Sequence, residues 1–196
     1  MDPTVPPDAQ RRPAVVTVAV WLLYLVAALE AVTALVTLSQ LGTLRSAYDK
    51  LFADTPMKNA GTSVAVVSTA AIALALLFAL GFVVLAIFVG RGKNPARIIT
   101  WVVAGISICC AGTNLASTAI GFNSNFGNTS QGPSAEEIQR TINEALPAWY
   151  QPLLTTITIV SLAALLATVI MLALPIANPY FRKPRQEWQP PVPPTD

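Results

Sequence analysis

Four apolar runs, at about 14–39, 62–89, 98–122 and 153–177, decide what this chain can become. Each meets or exceeds the roughly 20 residues that a helix needs to cross a hydrocarbon core about 30 Å thick. Of 196 residues only 11% are charged while 54% are hydrophobic, against about 25% charged in soluble domains. That much apolar surface cannot be hidden in one small soluble core. The expected fold is an all-α integral membrane domain, a four-helix transmembrane bundle over 14–178, with outer loops at 40–61 and 123–152. The ends, 1–13 and 179–196, are rich in proline. They bury little apolar surface and are expected to be disordered or polyproline-like cytoplasmic tails.

Basic residues set the expected orientation. Arg11, Arg12, Arg91, Lys93, Arg97, Arg182, Lys183 and Arg185 flank one set of helix ends, whereas the opposite loops hold Arg45, Lys50, Lys58 and Arg140. The positive-inside rule then places both termini and the 90–97 connection in the cytoplasm of a multi-pass plasma-membrane protein. The uncharged stretch from Ala14 to Leu29 slightly exceeds the apolar core of a signal peptide, and apolar sequence resumes after Glu30. Arg11 and Arg12 therefore read as a topological signal rather than an export signal. Arg91, Lys93, Arg97, Arg182, Lys183 and Arg185 are the candidate contacts to lipid headgroups, with Tyr180 and Phe181 as interfacial anchors.

The outer loops carry their own helical pattern. Leu41, Leu44, Tyr48, Leu51 and Phe52 recur at helical spacing, and Arg45 and Asp49 form an i,i+4 pair. The first helix is expected to run on beyond the bilayer until Asp54-Thr55-Pro56. In the second loop Ser134-Ala135-Glu136-Glu137 has the spacing of a capping box. It opens an amphipathic helix with Ile138, Ile142, Ala145, Leu146 and Trp149 on one side. Pro147 and Pro152 end it and lead into the fourth span. The Asn-, Gly- and Ser-rich stretch 123–132 before it is expected to be mobile. Two amphipathic pieces on one side imply a small helical extracellular cap.

Glu30 is the only charge inside any of the four runs. A charge there costs roughly 2.5 to 3.5 kcal/mol at the centre of a span, so it marks a functional or assembly site. Leu23, Ala27, Ala34 and Thr37 share its helix face, with Thr33 beside them. Trp21, Leu25, Leu29, Val32 and Val36 form a bulky face suited to lipid. Small residues mark the face where helices approach closely, so Glu30 is expected to point into the bundle. In the third span Ser107, Cys110, Asn114, Ser117 and Gly121 line one side. Asn114 and Glu30 have similar depths, Ser161 of the fourth span matches them, and Thr69 of the second is near. The expected site is an intramembrane polar layer of Glu30, Asn114, Ser161 and Thr69, in which a neutral glutamic acid both donates to and accepts from the Asn114 amide. Such a layer either fixes helix register and oligomerisation or serves as a proton or cation site.

Other chemistries lack their residues. With no histidine, common metal sites and Ser-His arrangements are excluded, and Gly90-Arg91-Gly92 lacks the context of a phosphate loop. The acids Asp49, Asp54, Glu136, Glu137 and Glu144 offer a carboxylate pair in principle, but the three on the short helix, Glu136, Glu137 and Glu144, read as a solvated face. No catalytic, metal or cofactor site and no nucleic-acid contact is expected. Cys109 and Cys110, about 100° apart around one helix, cannot form an ordinary disulfide with each other; they read as small packing residues.

Three motifs carry a family resemblance: Arg12-Pro13 entering the first span, Gly92-Lys93-Asn94-Pro95-Ala96-Arg97-Ile98 entering the third, and Leu174-Pro175-Ile176-Ala177-Asn178-Pro179-Tyr180-Phe181 leaving the fourth. On these the chain resembles a broad group of uncharacterised four-span actinobacterial membrane proteins, in which tryptophan more often stands where Pro95 stands here. The resemblance covers the membrane core and implies topology and a plasma-membrane location. Tetraspanins and claudins share the topology but need loop cysteines, which this chain lacks. Small multidrug resistance transporters resemble it in a first-span glutamate but are much shorter. The expected role is non-enzymatic, through helix assembly as a homo-oligomer or contact with a protein partner, using the outer helices or the proline-rich tail. A small proton-coupled transporter or channel built on the polar layer is the alternative.

Overall fold

The structure is a computed structural model that describes residues 13–53, 59–120 and 134–181. The described residues are helical, with no strand among them. The chain forms α1 (Ala14–Leu51), α2 (Ala60–Gly90), α3 (Asn94–Ile120), α4 (Ala135–Ala145) and α5 (Tyr150–Ala173), then a 3₁₀ turn (Pro175–Ala177) and α6 (Asn178–Phe181). Four of these, α1, α2, α3 and α5, are long and apolar enough to cross a membrane. Residues 1–12 and 182–196 of the expected tails, the stop at Asp54-Thr55-Pro56, the 123–132 stretch and the headgroup contacts Arg182, Lys183 and Arg185 lie outside the described residues; Pro179–Phe181, expected as the start of the C-terminal tail, are instead helical in α6.

The four long helices alternate in direction. Ala14, Gly90, Asn94 and Ala173 therefore mark one end, here called proximal, and Leu51, Ala60 and Tyr150 the distal end. α1 is the central element, packed along α2 and α5, with α4 on its distal part. α3 packs on α5 and α2 rather than on α1. On α1, Leu23, Ala27 and Ala34 are buried, while Trp21 is 70% exposed and Leu25 and Val32 also face outward. The small-residue face is thus the packed one, as close helix approach requires.

The contiguous core lies at the proximal half. It runs through Val16, Leu23 and Ala27 of α1, Phe82, Ala86 and Val89 of α2, Ala96 and Ala104 of α3, and Ala164, Leu165 and Leu172 of α5. In α3 the buried stripe is Ala96, Thr100 and Ala104, at i,i+4 spacing, rather than the Ser107–Cys110 side. Cys109 and Cys110 are both exposed, so they do not pack within this chain as the sequence suggested.

Two helix ends differ from expectation for reasons of proline chemistry. The fourth span was expected to continue to residue 177, but α5 stops at Ala173, with Leu174 extended (φ −60°, ψ 139°). Pro175 follows, and the residue before a proline is pushed out of the helical region. In α4, Ser134 Oγ accepts from the Glu137 N–H at 3.2 Å, the expected cap. Ile138 and Ile142 are half-buried and Leu146 is buried, but Ala145 and Trp149 are exposed. Leu146, preceding Pro147, is extended (ψ 149°), which turns Trp149 off the face that a continuous helix would have given it. Pro152 sits within the first turn of α5, where its missing N–H leaves no helical bond unmade.

Candidate functional site

Glu30 and Ser161 occupy equivalent positions on facing helices. The core ends at Ala27 on α1 and Ala164 on α5, and each polar residue sits one turn distal of that rim. Glu30 is half-buried on the packed face of α1. Among the described residues no group hydrogen-bonds to its carboxyl. Ser161 is buried and its hydroxyl has no hydrogen-bond partner among the described residues. A hydroxyl or carboxyl left unpaired away from water costs on the order of 1–3 kcal/mol. The boundary between the closed proximal core and the distal half is therefore polar and unsatisfied.

The other two members of the expected layer are placed differently. Thr69 lies on an outward wall of α2, exposed, with its hydroxyl donating to Ala65 O at 2.7 Å. It does not join Ser161 in the interior. Asn114 lies in α3, and its side chain falls outside the described residues. Along its own helix Asn114 stands 20 residues from Asn94, and Glu30 stands 16 from Ala14.

Two buried threonines went unnoticed in the sequence. Thr100 and Thr168 are fully buried, and each hydroxyl donates to the carbonyl four residues earlier, Ala96 O and Ala164 O, at 2.8 Å. This back-bonding satisfies the hydroxyl within its own helix and lets threonine act as a small packing residue. The Ala96–Thr100–Ala104 spacing was the signal available for it.

The proximal end is a clasp. α2 ends in a Schellman turn, with Lys93 N–H donating to Phe88 O at 3.2 Å and Gly92 N–H to Val89 O at 3.0 Å. Gly92 has φ +69°, which favours glycine. α6 closes over this turn. Tyr180 Oη donates to Gly90 O at 2.6 Å, and Arg97 Nη1 donates to Asn178 Oδ1 at 2.6 Å. The Arg97 guanidinium also lies 4.8 Å from the Trp101 ring centroid and 5.5 Å from that of Phe181. The 92–98 and 174–181 motifs, remote in sequence, thus interlock. Arg97, expected as a headgroup contact, is half-buried within this clasp, while Arg91 and Lys93 are exposed beside it.

At the distal end Asp49 accepts from the Gly61 N–H at 3.1 Å, capping α2 from α1. A Cβ on Gly61 would collide with the Arg45 carbonyl and the Asp49 carboxylate. Among the described residues no group of three His, Cys, Asp or Glu side chains could hold a metal. No family model, curated protein or solved structure matches the chain.

Proposed function

We propose that this chain is a non-enzymatic plasma-membrane protein that works through helix assembly, with both termini and the 90–97 connection in the cytoplasm. The observation that carries the reading is the state of α3. Beyond Ala104 none of its described residues is buried. Its distal half exposes Gly105, Cys109, Cys110 and Thr113, and no atom of the described residues lies within 4 Å of where a side chain would begin at Gly105 or Gly112. Small and weakly polar residues are poor at covering themselves with lipid and good at meeting another helix. A second chain or a partner helix against α3 would supply the packing that the single chain lacks.

Oxidative crosslinking in native membranes, through the exposed native pair Cys109 and Cys110, tests this. A crosslinked product that disappears when both are replaced by serine is expected. A chain that stays monomeric in bilayers and yields no crosslink refutes it.

The second reading, a proton-coupled carrier or channel, is favoured by one observation: Glu30 and Ser161 both lack a hydrogen-bond partner among the described residues at the rim of the core. Glu30→Gln keeps the shape and hydrogen-bonding capacity but cannot ionise. Under the assembly reading it leaves folding and assembly near normal, whereas Glu30→Leu weakens assembly. Loss of a proton flux in the Gln variant, with assembly intact, reverses the order of the two readings.

A further inference from the structure

A groove of about 480 Å³ opens on the outer wall of the α1–α2 pair, headed by Arg45 and Thr62 and floored by Ala65, Thr69, Ala70 and Ala73. α2 has 31 residues and is roughly 46 Å long at 1.5 Å per residue. That matches the 40–45 Å or so of a bilayer including both headgroup layers. With Gly90 at one headgroup layer, Thr62 lies at the other, and the groove runs from there roughly 16 Å toward the hydrocarbon.

Its chemistry changes along that path. At the headgroup level sits the exposed Arg45 guanidinium, held among the described residues only by a long 3.8 Å pair to Asp49 and a 3.4 Å bond to Thr62 Oγ1. Asp49 is itself engaged by the Gly61 N–H. Arg45 therefore keeps donors free for an anion. Below it the wall is small and apolar, and the Thr69 hydroxyl is turned back onto Ala65 O. Val66 beside it is 65% exposed, so the groove faces outward and not into the bundle.

The geometry points to a bound anionic phospholipid, its phosphodiester on Arg45 and Thr62 and the upper part of an acyl chain along Ala65, Thr69 and Ala73. The cation at headgroup depth and the apolar trough beneath it are complementary to the two halves of such a molecule. A second copy packing through the small-residue wall would leave the Arg45 donors not used by Asp49 and Thr62 without an acceptor.

The test uses the full chain in nanodiscs with a photoreactive phosphatidylglycerol, and mapping of the labelled peptides. Labelling between Thr62 and Ala73 is expected, outcompeted by phosphatidylglycerol but not by phosphatidylcholine or glycerol phosphate. Arg45→Gln should cut it about ten-fold, as for loss of one charge-assisted hydrogen bond. Thr69→Leu fills the groove at an exposed position and should abolish it, while Arg91→Gln at the proximal end leaves it unchanged. Both groove variants must match the parent in thermal unfolding without added lipid; Arg45→Lys, which keeps the charge, is the substitute should Arg45→Gln fail to fold. Labelling that survives Thr69→Leu, or competes equally with phosphatidylcholine, overturns the site. So does a dimer in bilayers that Thr69→Leu disperses, since the groove would then belong to a second copy.

Discussion

Replacing Gly92 by alanine should damage the proximal clasp by an amount that the geometry allows to be worked out. Two costs add. An L-residue held in the left-handed region, as φ +69° demands, costs about 1–2 kcal/mol. The new Cβ would also stand 3.1 Å from Tyr180 O and 3.2 Å from Tyr180 Cε1. Tyr180 cannot swing away freely, because its hydroxyl is anchored on Gly90 O at 2.6 Å. Crowding of that kind costs about 1–3 kcal/mol. The expected total is about 2–5 kcal/mol, read by reversible denaturant titration in micelles with helicity as the signal. Asparagine separates the two costs, since it tolerates the left-handed region but carries the same Cβ. Gly92→Asn should therefore recover part of the loss and not all of it. Gly92→Ala within about 0.5 kcal/mol of the parent, where ordinary surface substitutions fall, would refute the reasoning, because neither cost could then exist.

At the distal end, Gly61→Ala should cost about 1–3 kcal/mol, and Asp49→Ala about 1 kcal/mol through loss of the α2 cap; hydrogen exchange of the first α2 turn reads both. Ser161→Ala should be neutral or slightly stabilising in the same micelle titration, since a buried hydroxyl without a partner is removed. A cost above about 1 kcal/mol would instead show that Ser161 has a partner in the membrane. Arg97→Lys should lose about 1–2 kcal/mol despite keeping its charge, because lysine cannot reproduce both the stacking on Trp101 and Phe181 and the planar hydrogen bond to Asn178; Trp101 fluorescence reports the loss directly.

Run lengths and helix-face composition carried the architecture. Small residues at Ala27 and Ala34 opposite Trp21 and Leu25 were enough to orient α1, because close approach and lipid contact select side chains by size alone. The cap at Ser134 was equally legible, being a local hydrogen bond encoded within four residues. What resisted reading was long-range pairing. Thr69 read as lying near Glu30 in depth, but its azimuth relative to its neighbours is something a single helix does not encode. Arg97 looked like any interfacial cation, since nothing local says that Asn178 returns to meet it. In α3 the polar side was conspicuous, yet Ala96, Thr100 and Ala104 were the ones buried. Threonine hydroxyls that satisfy themselves on their own helix look polar in sequence and behave as small apolar residues in packing.

The clasp also has a bearing on how the chain is made. Its fastening residues, Asn178 and Tyr180, are synthesised after all four long helices, yet they secure a turn laid down about ninety residues earlier. α3 itself has its main packing surface on α5, so at the moment it enters the bilayer that surface is absent. During translation the α1–α2 hairpin can form as soon as both helices are inserted, while α3 waits beside it as a loosely held helix. Completion of the domain is therefore a single late event, in which α5 arrives, α3 gains its neighbour and α6 shuts the turn. A ribosome stalled before residue 178 would leave in the membrane a three-helix intermediate with its newest helix open to quality control.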